Sequence, residues 1–210
     1  MNHMPANEIL NQIIALISSF EHPGVRTFKD NLVNWGDQWK AVSLQWLPVA
    51  NLLPSDLHNG IVRLTKRDVT MEEIAHLLGL FHKYKDQLHW EQSYSKADKA
   101  VSRAMLAGYG FAEIIGKNGP FLSDRIRCGI GIWGPHISYP KHCHQAEEIY
   151  LVMSGSAVFT LDGSTSMSAF PRDVIHVASM RDHGFETQAQ PLIVLYLWQS
   201  GDLREKSTFV

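Results

Sequence analysis

PKHCHQAEEIYLVMSG, residues 140–155, is the stretch whose reading decides the fold. It reads as strand, turn, strand. Side chains alternate between the two faces of a strand, so His142 and His144 share one face and Cys143 takes the other. Beyond the turn at Gln145 and Ala146, Glu148 and Tyr150 share one face of the next strand. The hairpin thus aims two imidazoles and a carboxylate into one space. That donor set suits a divalent first-row metal such as zinc, iron or manganese.

From about residue 120 onward the chain keeps this rhythm. RIRCGIGIW, EEIYLVMSG, SAVFTLDGS, TSMSAF, DVIHVAS, GFETQA and PLIVLYLW are short apolar or alternating runs. Gly134-Pro135, Ser154-Gly155, Asp162-Gly163 and Pro171-Arg172-Asp173 punctuate them as turns. Short strands at this spacing predict a small antiparallel barrel or sandwich. Upstream the period changes to helical. Ile9, Leu10, Ile13, Ile14, Leu16 and Ile17 recur near 3.6 residues, with Asn7 as a candidate cap. Thr70 is the expected N-cap of a second helix, with Glu73 completing a capping box and Ile74, Leu77, Leu78 and Phe81 as its buried stripe. A third helix is expected from about Ser95 to Ile115. Between the first two helices, Trp35, Trp39 and Trp46 read as packing aromatics. The division is therefore a helical region over 1–118 and a β-barrel with the candidate site over 119–210, an α+β chain that is mainly β. The helices' apolar faces predict either an outer layer on the barrel or a homodimer surface.

Composition narrows the partners. The chain has 210 residues, 45% hydrophobic and 19% charged, enough to bury a sizeable core. Its formal net charge of −2 gives no global pull on nucleic acid or an anionic membrane. No apolar run reaches the roughly 18 residues of a membrane span, and the N-terminus lacks the pattern of a secretory signal. Two cysteines, Cys128 and Cys143, predict no disulfide framework and point to a reducing, cytoplasmic setting. Cys143, opposite the His pair, reads as a small core residue.

The spacing His142, His144, Glu148, Gly155 resembles the first signature of the cupin superfamily, whose fold is a jelly-roll β-barrel. Upstream there is a departure: the family's glycine six places before the first His falls at His136. The second signature is less complete. Its two small turn residues fall at Ala178 and Met180 and its later Asn at Thr187, whereas its histidine is present as His183. The resemblance makes His183 the fourth ligand beside His142, His144 and Glu148, with His176 as the competitor. In some cupins the first His of the pair hydrogen-bonds instead of ligating, so His142 has both readings open. Tyr139-Pro140, Ala146 and Tyr150 extend the likeness to the cupin-type dimethylsulfoniopropionate (DMSP) lyases, in particular the Q-type branch.

That resemblance implies a carbon–sulfur lyase with one divalent transition metal, its small-molecule substrate cleaved to dimethyl sulfide and acrylate. A proton next to a carboxylate is weakly acidic, so a metal on that carboxylate and a base beside it are what the chemistry needs. Tyr150, one pleat from Glu148, is the implied base, and Tyr139 the phenol that positions substrate or assists proton transfer. Tyr139, Trp133 and Trp198 are candidates to face the sulfonium. Two alternatives stay open: another metal-dependent cupin enzyme, an oxygenase or isomerase, and a non-enzymatic small-molecule-binding cupin. Neither a nucleic-acid nor a membrane partner is expected.

Overall fold

The period-2 pattern from residue 126 onward is realised as antiparallel strands in two sheets folded against one another. The structure is a computed structural model and describes residues 4–36, 38–55, 69–163 and 165–210. Helices α1 (Met4–Ser19), α2 (Arg26–Val33) and α3 (Val69–Tyr84) come first, with the short strands β1 (Gln38–Trp39) and β2 (Trp90–Glu91) placed among and after them. A one-and-a-half-turn helix, α4 (Arg103–Gly108), leads into β3 (Tyr109–Ile115), β4 (Phe121–Leu122) and β5 (Ile126–Trp133). The remaining strands are β6 (Ser138–Cys143), β7 (Glu147–Ser154), β8 (Ala157–Leu161), β9 (Thr165–Ala169), β10 (Val174–Val177), β11 (His183–Thr187), β12 (Leu192–Gln199) and β13 (Thr208–Phe209). The larger sheet runs β1-β4-β3-β5-β12-β7-β10 with β2 also paired to β3, and the smaller runs β13-β6-β11-β8-β9.

The larger sheet is buried on both faces, and strand parity divides its residues between two cores. Along β12, Ile193, Leu195 and Leu197 point outward to the helices, whereas Leu192, Val194, Tyr196 and Trp198 point into the barrel. On β7, Ile149, Leu151 and Met153 go outward, and Tyr150 and Val152 inward. The outward residues share one core with the helices, α2 packing on β5 and β12, α3 on β7 and α1 on β3, and the α1 stripe of Ile9, Ile13, Leu16 and Ile17 is buried in it. Each such aliphatic side chain contributes about 1.5–3 kcal/mol on leaving water. The helices' apolar faces are thus used as an outer layer of the barrel. β12 can run apolar or aromatic from Leu192 to Trp198 because water reaches neither face.

Several local expectations are corrected. Tyr109–Ile115, expected as the end of a helix, is strand β3, paired along β5 from Tyr109↔Trp133 to Ile115↔Cys128. Six of its seven residues are buried, so the stretch carries neither a clear 2 nor a clear 3.6 period. With β1 to β4 in the larger sheet, the sheet reaches back across the expected 118/119 boundary. Helix α3 begins at Val69, so Thr70 lies inside its first turn, and Asn7 likewise lies inside α1. Glu73 accepts a hydrogen bond from Gln12 of α1, tying the two helices together. Trp35 packs edge-on against Phe121 at 5.0 Å, but Trp39 and Trp46 are 41% and 48% exposed. The chain around them forms irregular outer coverage with no period to mark an inner face.

The turns carry the departures noted in the motif. Gly155 has φ +74°, and a Cβ there would lie 2.0 Å from the Pro191 carbonyl oxygen, so only glycine fits. His136 and Met180, which stand where the resembled signatures have small turn residues, also take left-handed backbone with φ of 56° and 61°. The backbone keeps the turn although the residue that relieves it is absent. No helix among the described residues is long and apolar enough to cross a membrane.

Candidate metal centre

Three strands and one turn bring the ligand candidates together. His142 stands near the end of β6 and pairs across the ladder with His183, the first residue of β11. His144 follows directly in the turn, and Glu148 sits on the inward face of β7. The His142 and His183 rings lie 4.1 Å apart, and the His144 ring is 4.9 Å from that of His183. One ring nitrogen from each of the three histidines lies within 4.8 Å of the other two. Glu148 Oε2 is 3.0 Å from His144 Nε2 and 3.5 Å from His183 Nε2. All four side chains are at most 3% exposed. The competitor His176 is on the opposite face, bound to Glu147 at 2.7 Å.

The backbone sets which nitrogen each imidazole offers. His142 Nδ1–H donates to the Pro140 carbonyl at 2.9 Å, His144 Nδ1–H to Ala146 at 2.8 Å, and His183 Nδ1–H to Arg181 at 2.8 Å. Each ring therefore turns its Nε2 toward Glu148 and the other rings, the arrangement that carbonyl acceptors impose on metal-binding histidines. His183 Nε2 is buried and finds no hydrogen-bond partner among the described residues. An orphaned lone pair in a dry pocket costs about 1–3 kcal/mol. The residues fit a divalent cation: the orphaned nitrogen, the inward Nε2 atoms and the carboxylate all lack a positive charge at their common focus.

The titration of the groups agrees. Burial, and then the neighbouring His183, push His142 down to about 3, so it is neutral at ordinary pH and free to ligate. Burial works to raise Glu148, but the His144 and His183 rings beside it outweigh that and hold it at about 2. Burial likewise opposes protonation of His144, yet its hydrogen bond to Glu148 wins and raises it. The carboxylate is thus held ionised at the focus of the rings.

Residues 39–194 match the protein family described as dimethylsulfoniopropionate lyase. The chain belongs to the DMSP lyase family. A curated relative, the dimethylsulfoniopropionate lyase DddQ of Ruegeria pomeroyi, is 36% identical over 90 residues, which is 43% of this chain and 44% of that protein. The matched stretch thus spans less than half the length of that relative. The crystal structure of DMSP lyase DddQ from Ruegeria pomeroyi DSS-3 superposes with a TM-score of 0.79 at 23% identity, covering 100% of this chain and 98% of that one. A structure from work on the DMSP lyases RdDddP and RnDddQII gives 0.78 at 24% identity, covering 98% and 97%. At these identities the structural likeness speaks for the fold, a cupin-like barrel with helices packed outside it.

Within this DMSP lyase family member, the two phenols singled out by sequence flank the centre. Tyr150 is one pleat along β7 from Glu148, its ring 6.2 Å from that of His183. Burial first, and the Glu148 charge second, hold its phenol well above the ordinary range. The Tyr139 ring is 4.5 Å from His142, and its hydroxyl lies 3.3 Å from that of Tyr94. The cavity they share is lined by Arg127, Trp133, Tyr139, Glu148, Tyr150 and Trp198 among others, and measures about 70 Å³. That is room for a handful of waters or one small molecule.

Sequence reading missed the residues that back this wall. Tyr94 comes from the loop before α4, and its backbone N–H donates to the Tyr109 hydroxyl at 2.8 Å. Phe209 of β13 packs on Tyr94 at 4.8 Å, and Lys206 binds Asp98 at 2.7 Å. The segment just before the C-terminal strand, Glu205 to Ser207, lines one side of the cavity. No motif or period in the sequence marks these contacts. Lys141 is exposed and donates to the Gly163 carbonyl at 2.9 Å, away from the centre.

Proposed function

We propose that this chain is a metal-dependent DMSP lyase. His142, His144, His183 and Glu148 hold one divalent transition metal, Tyr150 is the general base, and Tyr139 positions the substrate. The observation that carries the reading is the convergence of three carbonyl-oriented Nε2 atoms on a buried carboxylate, with a phenol one pleat away. A cation held there would act as a Lewis acid on the substrate carboxylate and, by cancelling the Glu148 charge, favour the phenolate of Tyr150. In the elimination Tyr150 takes the proton α to the carboxylate. The electron pair left behind forms the carbon–carbon double bond. The bond to sulfur breaks with its pair staying on sulfur, so neutral dimethyl sulfide leaves and acrylate remains.

The substrate's positive sulfonium is lost in this step, so the cavity must bind a cation without trapping it. Trp133 and Tyr139, with ring centroids 5.5 Å apart, offer aromatic faces for that end. The Tyr139–Tyr94 hydroxyl pair offers a path for returning the proton from the chamber. The two cysteines are buried and unpaired, in keeping with a reducing, cytoplasmic compartment.

The direct test is to load the purified protein separately with Zn²⁺, Fe²⁺ and Mn²⁺, add DMSP, and measure dimethyl sulfide in the headspace and acrylate in solution. The two products are expected in equal amounts with at least one metal. No product with any of them would overturn the reading.

A further inference from the structure

The three inward positions Arg127, Trp198 and Glu148 lie side by side across β5, β12 and β7. Only Glu148 belongs to the centre described above. The Arg127 guanidinium lies over the Trp198 ring, 4.9 Å from its centroid, and the Trp198 ring is stacked on His144 at 4.1 Å and 28°. The Trp198 indole N–H is buried and finds no hydrogen-bond partner among the described residues. Nothing polar therefore fixes the plane of that indole, and its orientation is decided by what lies against its faces.

Arg127 is itself held with unusual care. Its Nε forms an ion pair with Glu113, a carboxylate only 2% exposed. The other Glu113 oxygen accepts the Asn118 backbone N–H at 2.7 Å. Gly116, at φ +152°, lets the turn after β3 close on that carboxylate: a Cβ there would lie 2.8 Å from Glu113 Oε2. A shaped turn thus grips a carboxylate, the carboxylate grips a guanidinium, and the guanidinium lies on the indole that stacks on a metal-ligand imidazole. Arginine suits this place because its head is planar and cannot lose its charge, whereas an ammonium offers no flat face.

We propose that Arg127 is a positioning residue of the metal centre, acting through Trp198 to set the ring plane of His144, with Glu113 as its anchor. The inference rests on the proposed metal-dependent lyase reading. His144 is already held at Nδ1 by Ala146 and at Nε2 by Glu148, so the freedom that remains is tilt of the ring about the line joining those two contacts, which the stacked indole limits. Residues behind metal ligands of this kind change metal affinity or activity by about 10–100-fold when replaced.

The experiment uses the full chain loaded with Co²⁺, whose visible absorption reports ligand geometry, beside steady-state cleavage of DMSP and the melting temperature. Arg127→Lys keeps a cation for Glu113 but removes the planar face. The double variant Glu113→Gln, Arg127→Met removes both charges together and leaves no buried unpaired ion, so it decides the matter if Arg127→Lys does not fold. In the folded variant the Co²⁺ band is expected to shift and kcat to fall about 10–100-fold, with KM changed by less than about threefold. A variant that melts lower yet keeps the wild-type Co²⁺ spectrum and kcat would overturn the inference and leave Arg127 a structural ion pair. If the wild-type chain takes up no Co²⁺ and cleaves no DMSP, the metal-centre reading fails and carries this inference with it. If the wild type does both and the folded variants match it, only the inference fails.

Discussion

The outward and inward faces of β7 and β12 share one backbone and do opposite work. Outward, Ile149, Leu151, Ile193, Leu195 and Leu197 belong to the apolar core shared with the helices. Inward, the alternating positions are Glu148, Tyr150, Tyr196 and Trp198, and two of these carry buried polar atoms with no hydrogen-bond partner. The outer face is held by area, where one aliphatic residue can stand in for another of like volume. The inner face is held by direction, because an atom there matters for where it points. A one-residue slip of either strand would exchange the two sets, so the register that packs the helices is also what aims the carboxylate.

The sharpest way to separate the faces is to remove one inward oxygen. Tyr150→Phe deletes the proposed base and nothing from the outer core. DMSP turnover is expected to fall by about 10²–10⁴, the usual contribution of a positioned base. The melting temperature should stay close to wild type, since the phenol is no part of the helix–sheet packing. Headspace dimethyl sulfide and a thermal melt on the same sample decide it. Near-normal turnover would place the base elsewhere on the inner face.

The converse change is Leu195→Ala, one residue from Tyr196 and pointing the other way. A leucine lost from a dry interface leaves a cavity, and about 2–5 kcal/mol of stability is expected to go with it. The kcat of the folded fraction should be unchanged. Urea denaturation read beside kcat tests this. A large fall in kcat with the fold intact would mean the two faces are coupled and the division drawn here is wrong.

Metal removal probes the inner face alone. With the free metal at 100 times its dissociation constant, a ligand bound only by the folded state adds about 2.7 kcal/mol of stability. Chelation is therefore expected to lower the melting temperature of the wild type. In a His144→Ala, Glu148→Ala variant the same chelator should change it little. Equal sensitivity in both would show that any bound metal sits outside this cluster.

The two faces also differ in how legible they were. His142, His144 and Glu148 lie in one hairpin, so alternation along a few residues was enough to place them together. His183 needed the resemblance, because it comes from a distant strand and the turn before it has Met180 at a left-handed φ of 61° where a small residue was expected. Tyr94 and the Glu113–Arg127 pair carried no signal, since their contacts form only when the loop before α4 and the turn after β3 close on the sheet. The outer layer was readable as apolar stripes in α1 and α3. β3 was misread for the reason that makes it central: buried on both faces, it has no polar side to mark its period.

The smallest expected effect concerns what the inner face does with charge. Trp133 lines the cavity, packs on Tyr139 at 5.5 Å, and has a buried indole N–H with no hydrogen-bond partner. If its face receives the sulfonium, Trp133→Leu forfeits about 0.5–2 kcal/mol of cation–π attraction, a rise in KM of about 2–30-fold. Lost apolar contact alone would weaken a neutral ligand as much. The comparison that separates the two uses the thioether acid that lacks one S-methyl group, and with it the charge, as a competitive inhibitor. Binding of the sulfonium should weaken in the variant while inhibition by the thioether stays nearly constant. Equal weakening of both would reduce Trp133 to the kind of area-based packing seen on the outer face, and the sulfonium would then have to be met by Tyr139 or Trp198.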